Sequence, residues 1–410
     1  MTGPFTEPVQ VRLLQHADGE ASKQLGREAF GSSGDAPPLA ETWPAAGDHT
    51  LGAFADGELI GKIVSRGYGT HFAGVEVPTW GVAGVTVRAE SRGRGALTAL
   101  FAESFAAARE RGALISTLFP TAPGIYRRFG YEIVGGYVQR EIPTADLAAI
   151  RAPQGIRLRR ATAADAGAIR RVHDQWAREQ HGPLTRIQQG VTETDQELLD
   201  EQDAITLAID AAGDVVGYAA WDRGPGYDSS ATIAVEELIA LTPDAARALW
   251  SAIGSFRSVT GHVRVTAGPD DVHRLVLPSG TWREVRRTDY MLAVLDICGA
   301  WQARRIAPGI TAELTFRITD HPLADQNGDH RLGVADGRVI CERFDLGLGS
   351  GSGSGSPREI SARGLAVLYA GTQSCANVRL AGLLSGGDPA HDAVWDLLGG
   401  GRQFHVHDYF

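Results

Sequence analysis

Cysteine is scarce: Cys298, Cys341 and Cys375 are the only three in 410 residues, an odd number with no CxxC spacing. That excludes a disulfide framework and a cysteine-rich zinc site. No apolar run approaches the roughly 18 to 20 residues a membrane span needs. Met1 to Pro8 lacks the basic-then-apolar order of a signal peptide. The expected compartment is a reducing cytoplasm, with no membrane partner. A basic surface is missing too, since Lys and Arg total 39 against 49 Asp and Glu, a net charge of -10. Such a balance argues against nucleic acid and suits a cationic substrate. What remains is 43% hydrophobic and 21% charged, ordinary for soluble globular material, and long enough for two or three domains.

An internal repeat sets the domain count. Val9 to Leu14 alternates like a strand and leads into a helical pattern opened by Asp18; Ile156 to Arg160 leads likewise into one opened by Asp165. His49 to Gly61 then reads as strand, Asp-Gly turn and strand, and Ile205 to Gly217 repeats that form. Two copies of one α+β unit, residues 1–150 and 151–290, are expected, with a third domain at 291–410. In the third domain a helix is expected near Cys298 to Arg305, a strand at Ala312 to Ile318 and a helix at Asp388 to Leu398. The Gly-Ser tract Gly349 to Ser356 reads as a loop inside that domain.

Chemistry concentrates between Trp80 and Tyr131. A strand ending at Val87 delivers the chain into Arg92-Gly93-Arg94-Gly95, and an Ala-rich helix follows from Leu97 to about Arg109. A glycine turn at a helix N-terminus gathers backbone N–H groups and positive helix dipole, which suits a pyrophosphate. Neither the GxxxxGK[ST] nor the GxGxxG spacing is present in this turn. A strand at Leu114 to Phe119 comes next, then Pro120 to Pro123 and Gly124-Ile125-Tyr126-Arg127-Arg128-Phe129-Gly130-Tyr131.

With these segments the chain resembles the GNAT superfamily of N-acetyltransferases, and more narrowly the Eis (enhanced intracellular survival) family. VxVxxxxRGRG, GIYxRFGYE, the terminal DYF and the three-part layout carry the likeness. Leu97 departs from the general [QR]xxGxG/A loop in the manner of Eis-like loops. The resemblance implies a mixed α+β chain of tandem GNAT-like domains, the first catalytic and the second degenerate. A sterol-carrier-protein-like domain would follow and present the terminal carboxylate. It implies acetyl-CoA as co-substrate without a metal, a homohexamer, and transfer to a primary amine such as that of an aminoglycoside. Val85, Thr86 and Val87 would bond the pantetheine arm. Gly93, Arg94, Gly95, Ala96, Leu97 and Thr98 would hold the pyrophosphate, and Thr121 and Ala122 would lie near the thioester. Tyr126 would be the general acid and the Phe410 carboxylate the base. A phenol, with a reference pKa of about 10, can protonate a thiolate whose thiol lies near 8.5.

The second unit is expected to lack a cofactor site. In place of the glycine turn it has Ala240-Leu241-Thr242-Pro243-Asp244, which reads as Thr242 capping a helix with Pro243 at its first position. Its expected contribution is structural, or a wall of the substrate pocket. Polycation recognition needs several carboxylates, for which Glu28, Asp35 and Glu41 are first-unit candidates. Trp43 follows the loop where GNAT enzymes build their acceptor site. His405 and His407 beside Asp408 are too few ligands for a metal, and Asp325 to Asp329 lacks the twelfth-position Glu of a calcium loop. Two other functions fit the same residues: acetylation of protein lysines or polyamines, and a non-catalytic lipid-carrier or scaffold role.

Overall fold

A computed structural model of the chain describes residues 8–31, 38–72, 74–186, 194–268, 271–277, 282–344, 357–400 and 403–410. The Gly349 to Ser356 tract and Asp35 lie outside the described residues. The first unit comprises β1 (Gln10–Leu13), α1 (Gly19–Phe30), β2 (His49–Ala55), β3 (Glu58–Phe72), β4 (Val75–Val87), α2 (Ala96–Glu110), β5 (Ile115–Leu118), α3 (Pro123–Arg127) and β6 (Glu132–Pro143). The second runs through β7 (Arg157–Arg160), α4 (Ala166–Ala177), β8 (His181–Leu184), α5 (Asp195–Asp200), β9 (Ala204–Ile209), β10 (Val215–Arg223), β11 (Thr232–Ala240), α6 (Pro243–Gly254), β12 (His262–Thr266), α7 (His273–Val276) and β13 (Arg283–Val294). The third holds α8 (Ile297–Ala303), β14 (Ala312–Ile318), β15 (Gly328–Ala335), β16 (Arg338–Phe344), β17 (Glu359–Ile360), α9 (Ala362–Ala370), α10 (Cys375–Leu380), β18 (Leu384–Ser385) and α11 (Asp392–Gly399).

The repeat extends to single side chains. Arg12 grips Asp18 through both guanidinium ends at 2.7 and 2.8 Å, and Arg159 grips Asp165 at 2.7 and 2.6 Å. Each carboxylate also accepts the backbone N–H three residues earlier, from Gln15 and Thr162, so both helices start on the same clasp.

The two units do not keep separate sheets. Among the described residues one thirteen-stranded sheet runs β1-β2-β3-β4-β5-β13-β6-β12-β11-β10-β9-β7, with β8 added on β3. The last strand of the second unit, β13, is inserted between β5 and β6 of the first, and β6 pairs in turn with β12. The strand therefore crosses the boundary expected after residue 290. Alternation along β13 explains how one strand serves both sides: Met291 and Ala293 face the core under α2, while Tyr290, Leu292 and Val294 face the third domain. The third domain has its own sheet, β16-β15-β14-β17-β18, and ties back through Arg363, whose guanidinium bonds Glu132 of β6.

One expectation needs correcting here. Cys298 and Cys341 are joined in a disulfide that ties α8 to β16, leaving buried Cys375 as the free cysteine among the described residues. The pair lies 43 residues apart, a spacing that carries no local signal. No helix among the described residues is long and apolar enough to cross a membrane.

Candidate active site

Parallel β4 and β5 begin together and then part. They pair from Thr79 with Ile115 to Val82 with Leu118. Beyond Val82, β4 keeps β3 on one side as far as Val87, and among the described residues no strand pairs with its other edge. Gly84, at φ 56°, sits at the bulge where the strands diverge. The free edge of Val85, Thr86 and Val87 thus faces a wedge between strands, open to an extended chain that could bond it as an added strand. The Thr86 hydroxyl is buried without a hydrogen-bond partner among the described residues.

The chain leaves β4 through a short helical turn, Ala89–Ser91, and enters the exposed glycine turn. Gly93 and Gly95 have φ of 78° and 84°, and a side chain at either would meet open space. Backbone conformation therefore explains both glycines, and the space above them is accessible. The first helical bond of α2 runs from Ala99 to Gly95, so the amides of Ala96, Leu97 and Thr98 precede any carbonyl one turn back. The unpaired edge of β4 and the amide-lined turn at the start of α2 are separated in the chain only by the short Ala89–Ser91 turn.

At the far end of β5, Thr121 and Ala122 lead into α3, with Pro123 at its start. Tyr126 on α3 is 6% exposed, packed edge-on against Phe101 and Tyr131. Burial pushes its phenol above the usual tyrosine range, and a hydrogen bond with Thr121 partly offsets this.

The chain end arrives at the same place. Phe404 pairs with His181, and the His405 N–H donates to the His181 carbonyl at 3.0 Å. The fit is close: a Cβ on Gly182 would come within 2.0 Å of the His405 carbonyl oxygen, and one on Gly135 within 2.6 Å of the Phe404 oxygen. Phe410 then packs on Tyr68 of β3, on Phe119 just past β5 and on Tyr290 of β13.

Phe410 also borders a cavity of about 530 Å³. Glu201, Asp222, Glu236, Glu237 and Asp408 line it, against the single guanidinium of Arg186. All but Asp408 among these acids come from the second unit, which therefore forms one wall of this cavity. Glu28 and Glu41 are not in the lining, and Glu28 accepts a hydrogen bond from Gln24 instead. Trp43 packs beside Leu14, Leu25 and Leu59, away from the cavity. Tyr126 does not line the cavity either; Phe410 and Phe119 link the cavity to the end of β5 from which α3 starts. Tyr68 is the aromatic the sequence reading missed: it lines the pocket, and burial pushes its phenol up to about 12.

The second unit repeats the strand divergence with a different outcome. β11 and β12 pair as far as Val235. Three residues on, where β4 has Val85, the Leu238 carbonyl lies 2.9 Å from Nε2 of His273, and the other ring nitrogen of His273 meets the Trp250 indole N–H. A side chain occupies the slot. Thr242 caps α6 by accepting the Ala245 N–H, with Pro243 in the first turn. Elsewhere Asp325 pairs with Arg109 and Asp329 with Arg317.

Comparison with known proteins identifies the domain families. Residues 10–134 and 167–295 each match an acetyltransferase (GNAT) domain family, and residues 297–403 match a sterol carrier protein domain. The chain is a tandem-GNAT N-acetyltransferase. A Streptomyces avermitilis relative described as an uncharacterized N-acetyltransferase is 29% identical over 82% of this chain and 81% of its own. The crystal structure of a GCN5-related N-acetyltransferase from Kribbella flavida shares 28% identity and a TM-score of 0.82 over 99% of both chains. Eis1 from Mycobacterium abscessus has the same fold at 22% identity, with a TM-score of 0.76 over 98% of this chain and 100% of that one. The GNAT fold implies acetyl-CoA as acetyl donor and a small-molecule or amine acceptor.

Proposed function

We propose that this N-acetyltransferase is Eis-like and acetylates a primary amine of a cationic small molecule, such as an aminoglycoside, within a ternary complex. The observation that carries the reading is the seating of Phe410 between the end of β5 and a cavity whose charged lining is predominantly acidic. Carboxylates clustered on one wall attract and orient a polycation. Val85, Thr86 and Val87 would hold the pantetheine arm of acetyl-CoA; Gly93, Arg94, Gly95, Ala96, Leu97 and Thr98 would hold its diphosphate; and Thr121 and Ala122 would lie beside the thioester. The Phe410 carboxylate takes a proton from the acceptor amine as the new N–C bond forms. Tyr126 gives its proton to the sulfur as the C–S bond breaks. Burial raises that phenol above the usual tyrosine range, so it is protonated at neutral pH and is a weaker acid than a free tyrosine. The likeness to Eis also implies a hexamer, which sedimentation would test.

The experiment is a panel of amines assayed for CoA release: aminoglycosides, natural polyamines and lysine peptides. Turnover highest with aminoglycosides is expected. Activity on peptides with none on aminoglycosides overturns the acceptor assignment, and tight lipid binding without acetyl-CoA binding would make the chain a carrier.

A further inference from the structure

Phe410 is held in place by something other than its own ring. Past the His405 bond to β8, Asp408 is the last charged side chain before the end. One of its oxygens lies 3.3 Å from Nε of Arg186, and the other accepts the Leu184 N–H at 3.4 Å. Arg186 sits just past β8, a second-unit strand that pairs with β3 of the first unit. Its two terminal nitrogens bond both oxygens of Glu237 at 3.0 and 2.6 Å, and Glu237 also accepts the Tyr218 hydroxyl. Glu237 is buried, with a side chain 7% exposed, against 27% for Arg186. A bidentate fork on a buried, doubly held carboxylate fixes a guanidinium far better than a surface pair does.

We propose that Arg186 is a positioning residue for acetyl transfer: braced by Glu237, it clamps Asp408 and so keeps Phe410 at the mouth of the acceptor cavity. The inference rests on the reading of Phe410 as the base, and extends it by assigning the clamp to the degenerate unit. That unit contributes no acetyl-CoA slot, but it supplies the post on which the third domain's tail is aligned with the first unit's strands. The clamp also accounts for a guanidinium beside the acids of the described lining, since Arg186 is spent on Glu237 and Asp408.

The test uses the full-length enzyme and four variants: Asp408→Asn, Arg186→Lys, deletion of Phe410, and that deletion combined with Asp408→Asn. Asp408→Asn leaves the Arg186–Glu237 pair intact, so folding is preserved. It should lower kcat about 10- to 100-fold, the cost of misplacing a reacting group by roughly 1 Å, with acetyl-CoA affinity and amine KM within about threefold. Arg186→Lys keeps the charge and loses the fork, and should fall between that variant and the parent. In the Phe410-deleted background Asp408→Asn should change the residual rate less than about twofold, because the clamp then has nothing to aim. If deleting Phe410 abolishes turnover while Asp408→Asn and Arg186→Lys stay within twofold of the parent, the clamp is wrong and the base assignment stands. Equal losses from Asp408→Asn in both backgrounds would mark a merely structural pair and overturn the inference. Full activity without Phe410 would overturn the base assignment itself.

Discussion

Replacing Gly182 by alanine tests how tightly the tail must sit. Gly182 in β8 has φ 113° and faces the tail so closely that a Cβ would lie 2.0 Å from the His405 carbonyl oxygen. Ordinary contact begins near 3.4 Å, so the tail must retreat by about 1.4 Å or β8 must buckle. Either movement strains or breaks the His405 N–H bond to His181, worth about 1 kcal/mol, and alanine at this φ adds about 1 to 3 kcal/mol of strain. The larger consequence is geometric, because Asp408 and Phe410 lie just beyond. A displacement of that size at a reacting group costs about 100-fold in rate. We expect Gly182→Ala to lower kcat for amine-dependent CoA release by about that factor, while acetyl-CoA affinity, which the proposed site assigns to β4 and α2, stays within threefold. Gly57→Ala is the control: Gly57 has φ 78° and nothing within 4 Å, so it carries strain without a clash and should leave kcat unchanged. If Gly182→Ala retains kcat within threefold, the tail is not an aligned part of the site.

Two further outcomes follow from the same geometry. Tyr126→Phe should lower kcat about 100-fold with little change in acetyl-CoA KM, and the parent should show no alkaline loss from this group below about pH 10, because burial moves its phenol upward; stopped-time assays from pH 7 to 10 check both. Burial holds His71 and His407 below the usual histidine range, so the unfolded chain binds protons there first. Stability from these groups is complete above about pH 6.5 and declines as the pH falls below it. His407→Gln should therefore flatten the fall in Tm between pH 7 and 5, and a parallel fall in parent and variant would refute it.

The parts of the fold readable from sequence are those whose causes are local. A glycine turn before an Ala-rich run, Thr242 followed by Pro243, and the Asp56-Gly57 hairpin each act within a few residues, and each element lies where its pattern puts it. The paired clasps at Arg12–Asp18 and Arg159–Asp165 show that the repeat was visible for the same reason. What stayed hidden depends on distant partners. Nothing in Arg283 to Val294 announces that the strand completes another unit's sheet. The cavity acids were sought near α1 and instead come from the end of α5, from β10 and β11, and from Asp408 in the tail. Arg186 meets Glu237 across 51 residues and Asp408 across 222, and His273 reaches Leu238 across 35, so only the folded sheet brings them together. Cys298 and Cys341 illustrate the limit of composition: counting cysteines excluded a framework but not a single pair.

If one of the two repeated strand wedges grips acetyl-CoA, calorimetric titration of acetyl-CoA into the intact chain will count the sites. We expect one site per chain, weakened at least tenfold by Gly95→Val, which forces a β-branched residue into a left-handed turn, and untouched by Glu201→Gln in the pocket wall. Two sites per chain, or a single site indifferent to Gly95, would contradict it.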